Sequence, residues 1–262
     1  MELSKLIFTK NDCYKAGKTI TPKGVMIHST GANNPNLRRY LGPDDGIVGQ
    51  NDYNNHWNMA GIAKCVHAFI GKDKNGTVRA YQTLPWNCRG WHCGSSGNNT
   101  HISMEICEDN LSSRSYFEAV YEKATELTAY LCKTYSLDPL ASGVVISHKE
   151  GYTRGIASDH HDIDHWLKLY GKTMDDFRAD VSRLMKGELD MTREELEKLI
   201  DSRLEAREAA CTYKTLEDIP QWAKPTIEPL VASGAILGDG EGLNLSRDLV
   251  RALVILMRTR DQ

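Results

Sequence analysis

No stretch of the 262 residues approaches the roughly 18 consecutive apolar positions that a bilayer-spanning helix needs. A basic excess is also missing. Thirty-two Lys and Arg face 35 Asp and Glu, for a net charge of -3, so no cationic field points to a nucleic-acid partner. The first ten residues hold a Leu-Ile-Phe triplet, but no apolar core followed by a small-residue cleavage site, so no secretory signal is expected. The seven cysteines are odd in number and irregularly spaced, which argues for free thiols rather than a disulfide framework. Cys88 and Cys93 lack the C-x2-C spacing of a zinc knuckle, and no His-Glu-x-x-His is present, which excludes a zincin helix.

What is there divides into two regimes, and at roughly 150 residues per domain one or two domains are expected. Residues 1–186 hold all nine histidines and four of the five tryptophans. Short apolar runs at Gly24–His28, Val66–Ile70, Thr77–Thr83, Ile102–Cys107 and Val144–Ser147 read as strands, and Phe117–Tyr135 and Met174–Met185 as helices. Strands separated by helices and by long Gly/Asn loops predict an α/β domain built on a mixed central sheet flanked by helices.

From Gly187 the chain becomes charged and helical. Residues 187–212 read as a helical linker: Asp190 or Thr192 caps it, and Leu196, Leu199, Ile200 and Leu204 recur at helical spacing. Residues 213–262 read as a small helical module with helices at Trp222–Ser233 and Leu249–Met257, the second capped by Ser246. About 50 residues is marginal for a lone core, so this module is expected to pack on something or to pair with itself as a homodimer. Its Gly238-Asp239-Gly240 turn lacks the spaced oxygen ligands of a calcium loop.

The chemistry gathers around histidine. His28 and His148 each end a strand, and His160, His161, Asp162 and His165 follow in one loop. A zinc site needs neutral imidazoles and a carboxylate converging from separate elements, and strand ends are rigid platforms for them. By themselves the residues reach an α/β zinc protein and stop there.

Several segments resemble the zinc N-acetylmuramoyl-L-alanine amidases of the amidase type 2 family, which includes phage endolysins and autolysins and is related to the peptidoglycan recognition proteins. They are Val25-Met26-Ile27-His28-Ser29-Thr30, Cys65 to Ile70, Trp91-His92-Cys93-Gly94, Asn99 to Glu105, Ile146 to Glu150 and Asp159-His160-His161-Asp162. They run in family order over residues 18–186.

The resemblance implies a catalytic domain over residues 1–186 whose Zn2+ is held by His28, His148 and Asp162. Asp159 and His160 compete for the third place, because Ile163 stands where a Pro commonly follows the ligand. It further implies Glu105 as the acid-base carboxylate and His160 as donor to the oxyanion, Val66 being unable to do acid-base work. Read alone, Glu105 is rather an edge-strand surface acid paired with a Lys or Arg. His67 and His92 are expected at the groove, with His67 alternatively a satisfied core histidine. Trp57, Trp86 and Trp91 are candidates to stack on sugar rings, at least one of them being core instead. Asn98, Asn99 and Thr100 either meet the stem peptide or are plain loop residues.

The implied activity is hydrolysis of the amide between N-acetylmuramic acid and L-alanine in the peptidoglycan of a Gram-positive bacterium. Residues 213–258 resemble the small C-terminal modules of such endolysins, which implies cell-wall anchoring or dimerisation. An enzyme of this kind without a signal would stay in the cytoplasm until released to the wall. The alternatives are an amidase that recycles soluble muropeptides and a peptidoglycan-binding module without catalysis.

Overall fold

In the computed structural model the described residues are 2–187, 197–198, 201–202 and 212–260. Two units separate, residues 1–189 and 190–262.

The first unit is built on a mixed sheet of six strands: β1 (Leu3–Lys5), β2 (Gly24–Ser29), β3 (Ala68–Lys72), β4 (Val78–Gln82), β5 (His101–Ile106) and β6 (Val145–Ser147), in the order β1-β4-β3-β5-β2-β6. All pairings are parallel except β3 with β4, whose Asp73-to-Gly76 turn makes a hairpin. Every residue of β2 is buried, as a central strand covered on both faces requires. The strands found match the apolar runs in the sequence. β1 was not anticipated, since three residues on a sheet edge carry no alternation to detect.

Five helices complete the unit: α1 (Asp12–Lys15), α2 (Arg114–Tyr135), α3 (His148–Thr153), α4 (Asp164–Leu169) and α5 (Met174–Lys186). The start of α2 lies three residues before the apolar pattern because Ser113 Oγ accepts from the Tyr116 amide. Capping boxes open α3 (Ser147 with Glu150) and α5 (Thr173 with Asp176).

Alternation sorts the sheet into two faces. Val25, Ile27, Ala68, Ile70, Ile102, Met104, Ile106 and Val145 form one core with Phe117, Val120, Leu127 and Leu131 of α2, Trp166 of α4, and Phe177 and Val181 of α5. The opposite face carries Met26, His28, Phe69, Ser103, Glu105 and Ile146 by alternation, and long loops lie over it. Phe69 packs there with Leu37, Tyr40 and Leu41, and Met26 and Ile146 pack with Cys93 and Ala157. β2 and β6 run so close that a Cβ on Gly24 would lie 2.3 Å from the Val144 carbonyl oxygen. Six cysteines, Cys13, Cys65, Cys88, Cys93, Cys107 and Cys132, are buried free thiols.

In the second unit the apolar connector residues Leu196, Leu199, Ile200 and Leu204, and both its capping candidates, lie outside the described residues. Further on, helices Lys224–Ala232 and Arg247–Arg260 pack Ile227, Val250 and Val254 against Ile219, Ala223 and Leu245. The later helix begins two residues before the expected Leu249, with Ser246 Oγ accepting from the Leu249 amide. A two-stranded ribbon, Thr212–Tyr213 against Leu245–Ser246, was not expected in a module read as all-helical. Its strands are separated by 31 intervening residues and are two residues long, too short to show a period. No helix among the described residues is long and apolar enough to cross a membrane.

Candidate active site

Three elements deliver three side chains to one point. His28 stands near the carboxyl end of β2, His148 is the first residue of α3 immediately after β6, and Asp162 lies in the loop before α4. The α3 capping box fixes the backbone from which His148 projects. Nδ1 of His28 is 3.0 Å from Nδ1 of His148 and 3.1 Å from Oδ2 of Asp162, and His148 Nδ1 is 3.2 Å from Asp162 Oδ1.

Two imidazole nitrogens and a carboxylate turned toward one point are the arrangement that a metal ion between their lone pairs requires. Four-coordinate zinc with bonds of about 2 Å sets its ligand atoms roughly 3.3 Å apart, close to the three distances found. The outer nitrogens agree with that reading. With Nδ1 unprotonated, His28 Nε2–H donates to His92 Nδ1 at 3.0 Å and His148 Nε2–H to Ser158 Oγ at 3.3 Å. Burial holds the His28 imidazole below its ordinary pKa, and so neutral. Burial opposes the charge of Asp162, but the imidazoles of His148 and His28 beside it outweigh burial and hold the carboxyl well below the usual range. Two neutral imidazoles and a carboxylate are a donor set that fits zinc. Among the described residues they are the only group of three or more His, Cys, Asp or Glu so disposed.

The competing third ligands stand elsewhere. Asp159 makes an exposed pair with His161 at 3.3 Å. His160 is exposed, its ring tilted beside that of His148 with centroids 4.9 Å apart, and its Nδ1 is 3.0 Å from Ser158 Oγ. Ile163 follows Asp162 with φ +67°, a value the proline ring cannot reach. That accounts for the missing proline.

A cavity of about 350 Å³ opens over the cluster, walled by Ser29, Thr30, Trp57, Lys64, Trp91, His92, Glu105, Ser158 and His160. Glu105 sits in register with His28 on the neighbouring parallel strand. β5 lies between β3 and β2, so the edge-strand reading of Glu105 does not hold. Its Oε2 is buried without a protein partner. Burial raises the Glu105 carboxyl well above the ordinary range, and the charges of Asp162 and Glu108 push the same way.

The structure divides the other candidates. His92 is half-buried in the cavity wall, with its backbone amide held by Asn98 Oδ1 at 2.8 Å and its buried Nε2 unpartnered. Burial keeps its imidazole well below the ordinary pKa. Trp91 is 44% exposed and carries the Arg89 guanidinium 5.2 Å from its ring centre; Lys64 stands 4.7 Å from the ring of Trp57. Trp86 packs instead against the core on the helix side.

His67 is not brought to the cavity. It is fully buried, Nε2 donating to the Cys88 carbonyl at 2.7 Å and Nδ1 accepting from the Ser103 amide at 3.0 Å. Asn99 is also off the cavity wall and accepts from Arg89 at 2.6 Å. Asn98 is buried under the His92 loop. Ser158, Lys64 and Glu108 carried no signal in the sequence. A serine bridging His148 to His160 is visible only once the loop is folded.

The family model for N-acetylmuramoyl-L-alanine amidase matches residues 18–164. Among solved structures, that of the Staphylococcus aureus hydrolase AmiA in complex with its ligand shares the fold, with TM-score 0.51 and 20% identity over 72% of this chain and 87% of that one. PlyL gives TM-score 0.49 at 20% identity, over 69% of this chain and 97% of its own. A mutant endolysin from Bacillus subtilis gives 0.47 at 21%, over 69% and 99%. No curated protein sequence matches the chain.

Proposed function

The chain belongs to the N-acetylmuramoyl-L-alanine amidase family, and from that premise we propose that it is a zinc hydrolase cleaving the amide between N-acetylmuramic acid and L-alanine in peptidoglycan. The observation that carries the metal part is the convergence of His28 Nδ1, His148 Nδ1 and the Asp162 carboxylate within 3.2 Å of one another.

Zinc held by these three residues would supply an activated water and a positive charge for the carbonyl oxygen. The remaining work falls to side chains. Glu105, with one oxygen free and its proton affinity raised by burial, takes the proton of the attacking water as the carboxylate and passes it to the alanine nitrogen as that bond breaks. His160, with Ser158 on its Nδ1, offers Nε2 to the developing oxyanion. His92 fixes the tautomer and tilt of His28. Trp57 and Trp91 present faces suited to a pyranose ring, each with a cation beside it.

We assign catalysis to residues 1–186, a linker to 187–212, and wall binding or homodimerisation to 213–262. The wall of a Gram-positive bacterium, reached from the cytoplasm by release as an endolysin, is the setting this combination fits best.

The test compares the whole protein with its His28→Ala variant on suspended, purified cell walls. The parent should carry about one zinc and clear the suspension; the variant should carry none and leave it turbid. A parent that pellets with the walls without clearing them would make the protein a binding module.

A further inference from the structure

Asp162 belongs to no strand or helix, so something else must hold it. Its neighbour Ile163 has φ +67° and ψ -38°. That pair of angles lies outside the α, β and left-handed helical regions and near the strained γ-turn. A β-branched residue stays in such a conformation only where its surroundings over-determine it.

The surroundings here are specific. The Ile163 side chain is buried in the core under α2. Its backbone amide donates to Ser29 Oγ at 3.0 Å, and the Ser29 hydroxyl donates to Glu108 Oε1 at 2.5 Å. The same carboxylate oxygen lies 3.1 Å from His165 Nε2, on α4 just past the turn. Glu108 is itself tied at both ends of its peptide: its amide donates to Thr30 Oγ1 at 3.0 Å and its carbonyl accepts from the Asn34 amide at 2.9 Å.

Ser29 and Glu108 are 5% and 4% exposed. A buried hydroxyl and carboxylate are costly unless they are bonded, and here they are bonded to each other, to the Ile163 amide in the turn beside Asp162, and to His165 just past it. Ser29 is also the residue after His28 in β2. The chain Ile163–Ser29–Glu108–His165 therefore ties the strand of one candidate ligand to the turn of another.

We infer that Ser29 and Glu108 are positioning residues that clamp the Ile163 turn and so hold the Asp162 carboxylate against His28 and His148. The hydroxyl has a single proton, which goes to Glu108, so its lone pair must take the Ile163 amide. Alanine at position 29 would orphan both partners, whereas threonine would keep both bonds.

The inference rests on the zinc reading of the site. Its test measures zinc affinity of the full chain by competition with a chromogenic chelator, together with hydrogen exchange at the Ile163 amide, for the parent, Ser29→Ala, Ser29→Thr and Glu108→Gln. Ser29→Ala should lose about 10- to 100-fold in zinc affinity and exchange faster at Ile163, while Ser29→Thr should stay within about threefold of the parent. Glu108→Gln keeps an acceptor for Ser29 but drops its charge, and should fall between the two; it carries the test if Ser29→Ala does not fold. Parental zinc affinity in both Ser29→Ala and Glu108→Gln, whatever their melting temperatures, would overturn the clamp. A parent that takes up no zinc would overturn the metal reading first, and the clamp with it.

Discussion

His28 and Glu105 face each other in register across β2 and β5, side chains on the loop-covered side of the sheet. One is turned by its Nδ1 to a shared donor point; the other has a carboxylate oxygen with no protein partner. The sheet thus sets the proposed metal ligand and the proposed acid-base residue side by side through backbone pairing alone, independent of any loop.

Glu105→Gln keeps the shape of that side chain and removes its proton chemistry. We expect kcat to fall about 10²- to 10⁴-fold with bound zinc unchanged, measured by turnover and metal analysis of the same preparation. A loss smaller than tenfold would mean that Glu105 is not the base.

His160→Ala separates donor from ligand. The exposed ring beside Ser158 is expected to be dispensable for zinc but worth about 10²- to 10³-fold in kcat. Loss of zinc together with rate would make His160 a ligand and displace Asp162 from that role.

His67 gives a pH dependence separate from the cluster. Burial is the main cause that brings its pKa down to about 4 in the folded chain, whereas in the unfolded chain it titrates near 6.5. Between those values the unfolded state binds more protons, so stability falls as pH drops from 6.5 through 4. At the acid end the loss is on the order of 3 kcal/mol from this group. An NMR titration should leave the His67 ring signals unmoved until below about pH 5; a midpoint near 6.5 would show that the ring is not buried as described.

Gly24→Ala puts a methyl group where β2 and β6 nearly touch. With the Val144 oxygen 2.3 Å from the new carbon, the strands must part, and we expect about 3 kcal/mol of lost stability, read as a lower urea midpoint. An unchanged midpoint would mean that the two strands are not held at that spacing.

The parts legible in the sequence were those with a local signature. β2, β5 and β6 are short apolar runs, and a histidine at the end of such a run is conspicuous, so His28 and His148 stood out before any fold was known. Asp162 could be placed only relative to a family pattern, and Ile163 then seemed to break it; its backbone angle shows why a proline does not belong there. His67 and His92 look alike in the sequence, each beside an apolar or aromatic residue. Only folding separates a histidine bonded on both nitrogens in the core from one that meets the outer nitrogen of His28. Ser29, Glu108 and Ser158 were invisible because their partners are distant or depend on a loop: Ile163 is 134 residues from Ser29. The three-residue β1 and the two-residue ribbon of the second unit were missed because strands so short have no period.

The most direct test of the central claim is the bond that is cut. Purified peptidoglycan is digested by the whole protein, with and without a chelator, and new amino termini and new reducing sugars are counted side by side. The account predicts N-terminal alanine in step with digestion, its release abolished by the chelator and restored by added zinc, and no new reducing ends. Reducing ends, or alanine release that the chelator does not touch, would contradict it.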